Sequence, residues 1–102
     1  MRIAKVIGTV TLSRIHLALS GGRLKMVVPQ SLADLAGGNG EEAEPLVAWD
    51  ELGAGVGSMI ALSEGGEAAA AFYPDEKPVD AYSAAILDNI NIDTLQVRNL
   101  KT

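Results

Sequence analysis

Ala4-Lys5-Val6-Ile7-Gly8-Thr9-Val10-Thr11-Leu12 alternates: Ala4, Val6, Gly8, Val10 and Leu12 occupy one parity, Lys5, Thr9 and Thr11 the other. A period of two matches the pleat of a strand, whose successive side chains point to opposite faces, so this stretch is predicted to be a strand with one buried face. Ile7 within it and Ile3 just before it interrupt the polar parity. Two readings are open: a second buried surface such as a subunit contact, or stray exposed aliphatics of the kind most surfaces carry.

Downstream, Gly21-Gly22 supplies a turn, and Arg23-Leu24-Lys25-Met26-Val27-Val28 alternates again until Pro29 ends it. This predicts a second strand with Leu24, Met26 and Val28 inward. Ser31-Leu32-Ala33-Asp34-Leu35 reads as one helical turn, and the Gly-rich, acidic residues 37–42 as a surface loop. Pro45-Leu46-Val47-Ala48-Trp49-Asp50 and Ser58-Met59-Ile60-Ala61-Leu62 are short apolar runs bounded by turn formers, hence strands three and four. Glu67-Ala68-Ala69-Ala70-Ala71-Phe72-Tyr73, with an acid in front and Pro74 behind, has the propensity for a helix of about two turns. Residues 80–90 are ambiguous: Ala81, Ala84, Ala85 and Leu87 favour a helix, while Ala84-Ala85-Ile86-Leu87 equally suits a buried strand. Ile92, Leu95 and Val97 belong to a last strand or to an arm lying on a neighbour. Five or six short strands with one small helix inserted late point to a mostly β fold, a small closed or partly open barrel of the OB type. The 102 residues suffice for a single domain.

The net charge of −5 and the scatter of the eight Lys and Arg over Arg2, Lys5, Arg14, Arg23, Lys25, Lys77, Arg98 and Lys101 leave no phosphate-tracking stripe. Nucleic acid is therefore not an expected partner. No cysteine is present, which excludes disulfides and thiolate metal sites. No run approaches the roughly 20 apolar residues of a spanning helix. The start does not have the layout of a secretory signal, so a cytoplasmic protein without a membrane partner is expected. The only aromatic residues are Trp49, Phe72, Tyr73 and Tyr82. A core of aliphatics and alanine in a chain this short is marginal alone, and burial against sister subunits would help it.

Chemistry is hard to assemble from these residues. Gly53-Ala54-Gly55-Val56-Gly57 invites comparison with a dinucleotide fingerprint, but its spacing is G-x-G-x-G and Gly65-Gly66 follows too soon for a useful helix. A tight turn needing positive φ or close backbone approach is the better reading. His16 is the one histidine, and a zinc site needs three or four ligands. None of the serines sits in a G-x-S-x-G elbow. Among the acids, Glu41, Glu42, Glu44, Asp75 and Glu76 lie in loop-like contexts and read as solvated. Asp50, Asp80 and Asp88 each adjoin an apolar segment, where an acid usually caps a turn or meets a backbone amide. No catalytic residue, cofactor or metal is expected.

Three stretches together resemble the EutN/CcmL family. Residues 4–10 are similar to its opening strand K-V-x-G-x-V, and Asp50 with Gly53, Ala54, Gly55, Val56 and Gly57 to its loop D-x-x-G-A-G-x-G. Pro78-Val79-Asp80-Ala81 with Ala84-Ala85-Ile86-Leu87-Asp88 is similar to its closing segment, and the order and separations match over nearly the whole chain. Two departures stand out: Ser63-Glu64-Gly65-Gly66-Glu67-Ala68-Ala69 lacks the family's Arg, and Ala85 replaces a frequent Gly. The resemblance implies an OB-like five-stranded barrel with a short helix before the last barrel strand, and residues 82–88 as strand. It further implies a non-enzymatic shell protein of a bacterial microcompartment. In that role a homopentamer caps the fivefold vertices and meets hexameric and trimeric shell proteins, with residues 53–57 at the subunit contact near the ring axis. The alternative from a different class is an OB-type binding module for a small molecule or oligomer, without catalysis.

Overall fold

The computed structural model describes residues 1–12, 22–37, 43–65 and 81–93. Five strands, β1 (Arg2–Val10), β2 (Arg23–Pro29), β3 (Leu46–Asp50), β4 (Met59–Glu64) and β5 (Ala81–Leu87), close into a barrel in the order β1-β2-β3-β5-β4. Neighbours are antiparallel except β3 and β5, which run parallel with Trp49 opposite Tyr82. Closure matters because an open sheet this small would present unpaired backbone groups along two edges. It also settles Ala81–Leu87 within the ambiguous stretch: β5 fills the gap between β3 and β4, and this long-range pairing overrides the helix propensity of its alanines.

The barrel interior holds Ala4, Val6, Val27, Ala48, Ala54, Ile60, Leu62 and Ala81, with Leu46 packed against them. Half of that cluster is alanine, as a narrow five-stranded cylinder requires. Register explains which side chains enter. Ala4 faces Pro29 and Ile60, and Val6 faces Val27; cross-strand partners share a face.

Two expectations about this packing are corrected. Between Val6 and Gly8 the β1–β2 register slips by one, leaving Ile7 as the extra residue of a bulge. A one-residue slip turns every later side chain over. Ala4 and Val6 are buried as expected, but Gly8 and Val10 join the outer face opposite Met26 and Leu24, and Leu12 is exposed. The inward set therefore ends at Val6. In β2 the parity is the reverse of the one expected: Lys25, Val27 and Pro29 are buried, while Leu24, Met26 and Val28 are half-buried on the outside. Pairing with Ala4 and Val6 fixes this choice, and the narrow interior has room for Val27 beside Val6 but not for a row of Leu, Met and Val.

Trp49 is buried on the outer parity, between Leu24 and Tyr82 in the cross-strand row. Its indole lies against Gly22, where any Cβ would overlap the ring, so this approach requires glycine. The expected helical turn is present as α1 (Leu32–Leu35). A reciprocal capping box holds it: Asp34 N–H donates to Ser31 Oγ at 3.1 Å, and Ser31 N–H donates to Asp34 Oδ2 at 2.9 Å. The expected helix over residues 67–73, and with it the helix before the last barrel strand, falls outside the described residues. Ile92 is half-buried in irregular backbone, and Leu95 and Val97 lie outside the described residues.

Candidate functional site

Strand β3 ends at Asp50, and the chain then forms a loop through residue 58 before β4 begins. The Asp50 side chain organises that loop. Its Oδ1 accepts from Leu52 N–H at 3.1 Å and its Oδ2 from Ala54 N–H at 2.9 Å, with the residue only 1% exposed. A buried carboxylate is costly unless its oxygens are satisfied, and two backbone donors satisfy it while bending the chain. The expectation that Asp50 meets backbone amides holds. Ala54, drawn in by its bond to Asp50, is fully buried and belongs to the barrel core.

The far side of the loop is stitched to β1. Gly57 N–H donates to Val6 O at 2.8 Å, Val6 N–H to Ser58 O at 2.9 Å, and Ser58 N–H to Gly55 O at 3.0 Å. Gly53 and Gly57 have φ of +82° and +92°, the left-handed region that glycine enters without penalty. The turn reading of the glycine run is thus correct for both. Gly55 differs: its φ is not positive, and a Cβ there would meet nothing within 4 Å among the described residues. Around it Leu52, Gly53, Val56 and Gly57 are exposed, Val56 by 69%. The result is a loop fixed at both ends that presents an apolar tip.

Of the other acids singled out in the sequence, Asp80 lies outside the described residues, and Asp88 is exposed just past β5. Because β3 and β5 run parallel with Trp49 beside Tyr82, Asp50 and Asp88 are separated by most of the length of β5. No cluster of three or more potential metal-ligating side chains occurs among the described residues. On the opposite rim Arg2 and Glu64 form a two-pronged ion pair from β1 to β4, with Nε–Oε1 at 2.7 Å and Nη2–Oε2 at 2.8 Å. The hydrogen bonds from Arg2 hold the Glu64 carboxyl below its ordinary range.

Sequence reasoning missed two features of this molecule. Lys25 is buried inside the barrel wall, although its charge marks it as solvent-facing in an alternating strand. The outer face of β1–β3 carries aliphatic side chains, and only the interruption of the polar parity at Ile3 and Ile7 hinted at it.

Five short strands closed into a cylinder, with one loop shaped by Asp50 and tipped by exposed glycines and Val56, define the class of small closed β-barrel proteins. Comparison with known proteins makes the class specific. The family model described as "Ethanolamine utilisation protein EutN/carboxysome" matches residues 1–88, and the chain belongs to this EutN/CcmL family. It is 41% identical over 97 residues to the carboxysome shell vertex protein CcmL of Synechococcus elongatus, an alignment spanning 95% of this chain and 93% of that one. Its fold is similar to the Escherichia coli ethanolamine utilization protein EutN, with a TM-score of 0.75 at 29% identity over 90% of this chain and 89% of that one. The GrpN pentameric microcompartment shell protein from Rhodospirillum rubrum gives a TM-score of 0.74 at 27% identity, over 91% of this chain and all of that one.

Proposed function

We propose that this chain is a structural shell protein, without catalytic activity, whose five copies close into a ring that caps the vertices of a bacterial microcompartment in the cytoplasm. All 102 residues act as one vertex unit in this reading. Its partners are further copies of itself in the ring and the hexameric and trimeric shell proteins around it. Flat facets cannot close a polyhedron without vertex pieces, and a wedge-shaped subunit repeated about an axis supplies one through contacts that need no reactive group.

The observation that carries this reading is Gly55. Gly53 and Gly57 are glycines because of their backbone angles, but nothing among the described residues requires one at position 55. A constraint from outside the chain accounts for it: loops converging on a ring axis leave no space for side chains. Residues 53–57 are accordingly assigned to the subunit contact beside the axis, with Asp50 as the group that shapes them. Asp80 and Asp88 belong to the same family motif and are given no role in binding.

Light scattering after size exclusion tests the ring. The expected mass is about 53 kDa, five times the 10.6 kDa chain. Gly55→Leu is expected to keep the barrel's far-ultraviolet circular dichroism while the mass falls. A wild-type monomer at high concentration would overturn the proposal in favour of an OB-type binding module.

A further inference from the structure

The barrel end formed by the β1 C-terminus and the β2 N-terminus contains a half-open cavity of about 360 Å³, lined by Thr9, Val10, Thr11, Leu12, Gly22, Arg23, Leu24 and Lys25. We propose that it is a binding site for a small free oxyanion, a phosphate or carboxylate group of a soluble molecule, held by Lys25 and Arg23 with the hydroxyls of Thr9 and Thr11.

The bulge at Ile7 creates this site. Beyond the register slip Thr9 lies opposite Lys25, so the two share a face; Arg23 continues the same parity along β2, and Thr11, just past the end of β1, lines the same cavity. Lys25 is only 9% exposed, so its aliphatic stem is packed into the barrel wall, while the residue still lines the half-open cavity. A lysine with a buried stem holds its ammonium at the mouth of the cavity, where an anion can reach it. Val10, Leu12 and Leu24 supply apolar wall that lowers the local dielectric and strengthens any charge-assisted bond formed there.

The surrounding charge favours an anion over a cation. Residues 1–33 contain Arg2, Lys5, Arg14, Arg23 and Lys25 and none of the chain's thirteen Asp and Glu, so an acidic protein has one wholly basic segment. Arg23 also lines a neighbouring cavity with Asp50, its register partner, which is already engaged by two backbone amides, and with the exposed Glu51. Neither forms an ion pair with Arg23. The volume fits a small molecule and is at the low end of ligand pockets, about 300–1,000 Å³. This inference stands independently of the ring.

The test is an amide NMR titration of the intact assembled protein with inorganic phosphate, exchanged against sodium chloride at constant ionic strength so that screening does not change. Saturable shifts centred on Thr9, Thr11, Arg23 and Lys25 are expected. Lys25→Met should weaken the half-saturation concentration about tenfold or more. Arg23→Gln, on an exposed side chain that leaves the fold intact, should weaken it several-fold and decides the matter if Lys25→Met does not fold. Shifts that do not saturate, or that Arg23→Gln leaves unchanged, overturn the proposal. So does absence of phosphate binding together with a lower assembly mass for Lys25→Met, which would show that a neighbouring subunit's carboxylate already fills the site.

Discussion

The inside and the outside of the same strands differ in a way opposite to what a self-sufficient monomer would show. Inside, the cylinder is closed around Ala4, Ala48, Ala54 and Ala81 with four larger aliphatics, all nearly inaccessible. Outside, larger side chains remain partly or largely uncovered: Leu24, Met26 and Val28 on β2, Ile7 at the bulge (47% exposed) and Val47 on β3 (40%). A chain that hides its alanines and displays its methionine, leucine and isoleucine retains much of its burial free energy for contact with something else, at about 25 cal/mol per Å² of apolar surface. In the proposed ring that contact is another subunit, and a heterologous ring needs two unlike patches on each copy. The outer face of β1–β3 and the apolar tip of the 53–57 loop satisfy that need.

Substitutions on the two faces should therefore fail in different ways. Ala48→Leu adds volume to an interior with no spare room, and is expected to cost about 2–3 kcal/mol in urea unfolding, whatever the oligomeric state. A cost below about 0.5 kcal/mol would mean that the interior is not the tightly filled cylinder described. Met26→Lys, on the outer face, should change the stability of the isolated barrel by only about 0.5 kcal/mol. Its main effect should be on assembly, visible as a lower mass in light scattering and as loss of any rise in unfolding midpoint with protein concentration. An unchanged mass would remove the outer face of β1–β3 from the subunit contact.

The smallest effect is expected at the rim, where solvent reaches both partners of the Arg2–Glu64 pair. Glu64 is held below its ordinary value in the folded state by the hydrogen bonds from Arg2. The stability it contributes is thus present above the unfolded-state value near pH 4–5 and is lost as pH falls through the lowered folded-state value. Because both side chains are substantially exposed, with relative accessibilities of 52% and 35%, the contribution is well under about 1 kcal/mol. Wild type and Arg2→Met should differ slightly in unfolding midpoint at pH 7, and the gap should narrow as the pH is lowered; a gap that widens on acidification would contradict this sign.

Much of the local structure was legible because each signal was short-range. Ser31 and Asp34 specify α1 by reciprocal capping, and Asp50, Gly53 and Gly57 specify the loop by side-chain acceptors and left-handed backbone angles. These depend on neighbours within a few residues. All four strands expected from alternation or short apolar runs are present within a residue or two of the expected bounds. The family resemblance led to residues 82–88 as strand, which propensity left undecided, and β5 runs over Ala81–Leu87, with Asp88 just past its end.

Which face of each strand turns inward was settled only by the tertiary structure. A single extra residue at Ile7 reverses the parity of everything after it in β1, and alternation cannot register a bulge when Gly8, Val10 and Met26 are plausible on either side. In β2 the charge on Lys25 made Leu24, Met26 and Val28 look like the core, while pairing with Ala4 and Val6 placed Val27 and Pro29 inside and Lys25 with them. The sequence by itself determined the strands, the turn chemistry and the family, because those follow from local propensity and from motif spacing. Only closure of the barrel decided the core, the outward apolar face and the gathering of Arg23 and Lys25 beside Thr9 and Thr11, because cross-strand register is fixed by pairings between residues distant in the chain.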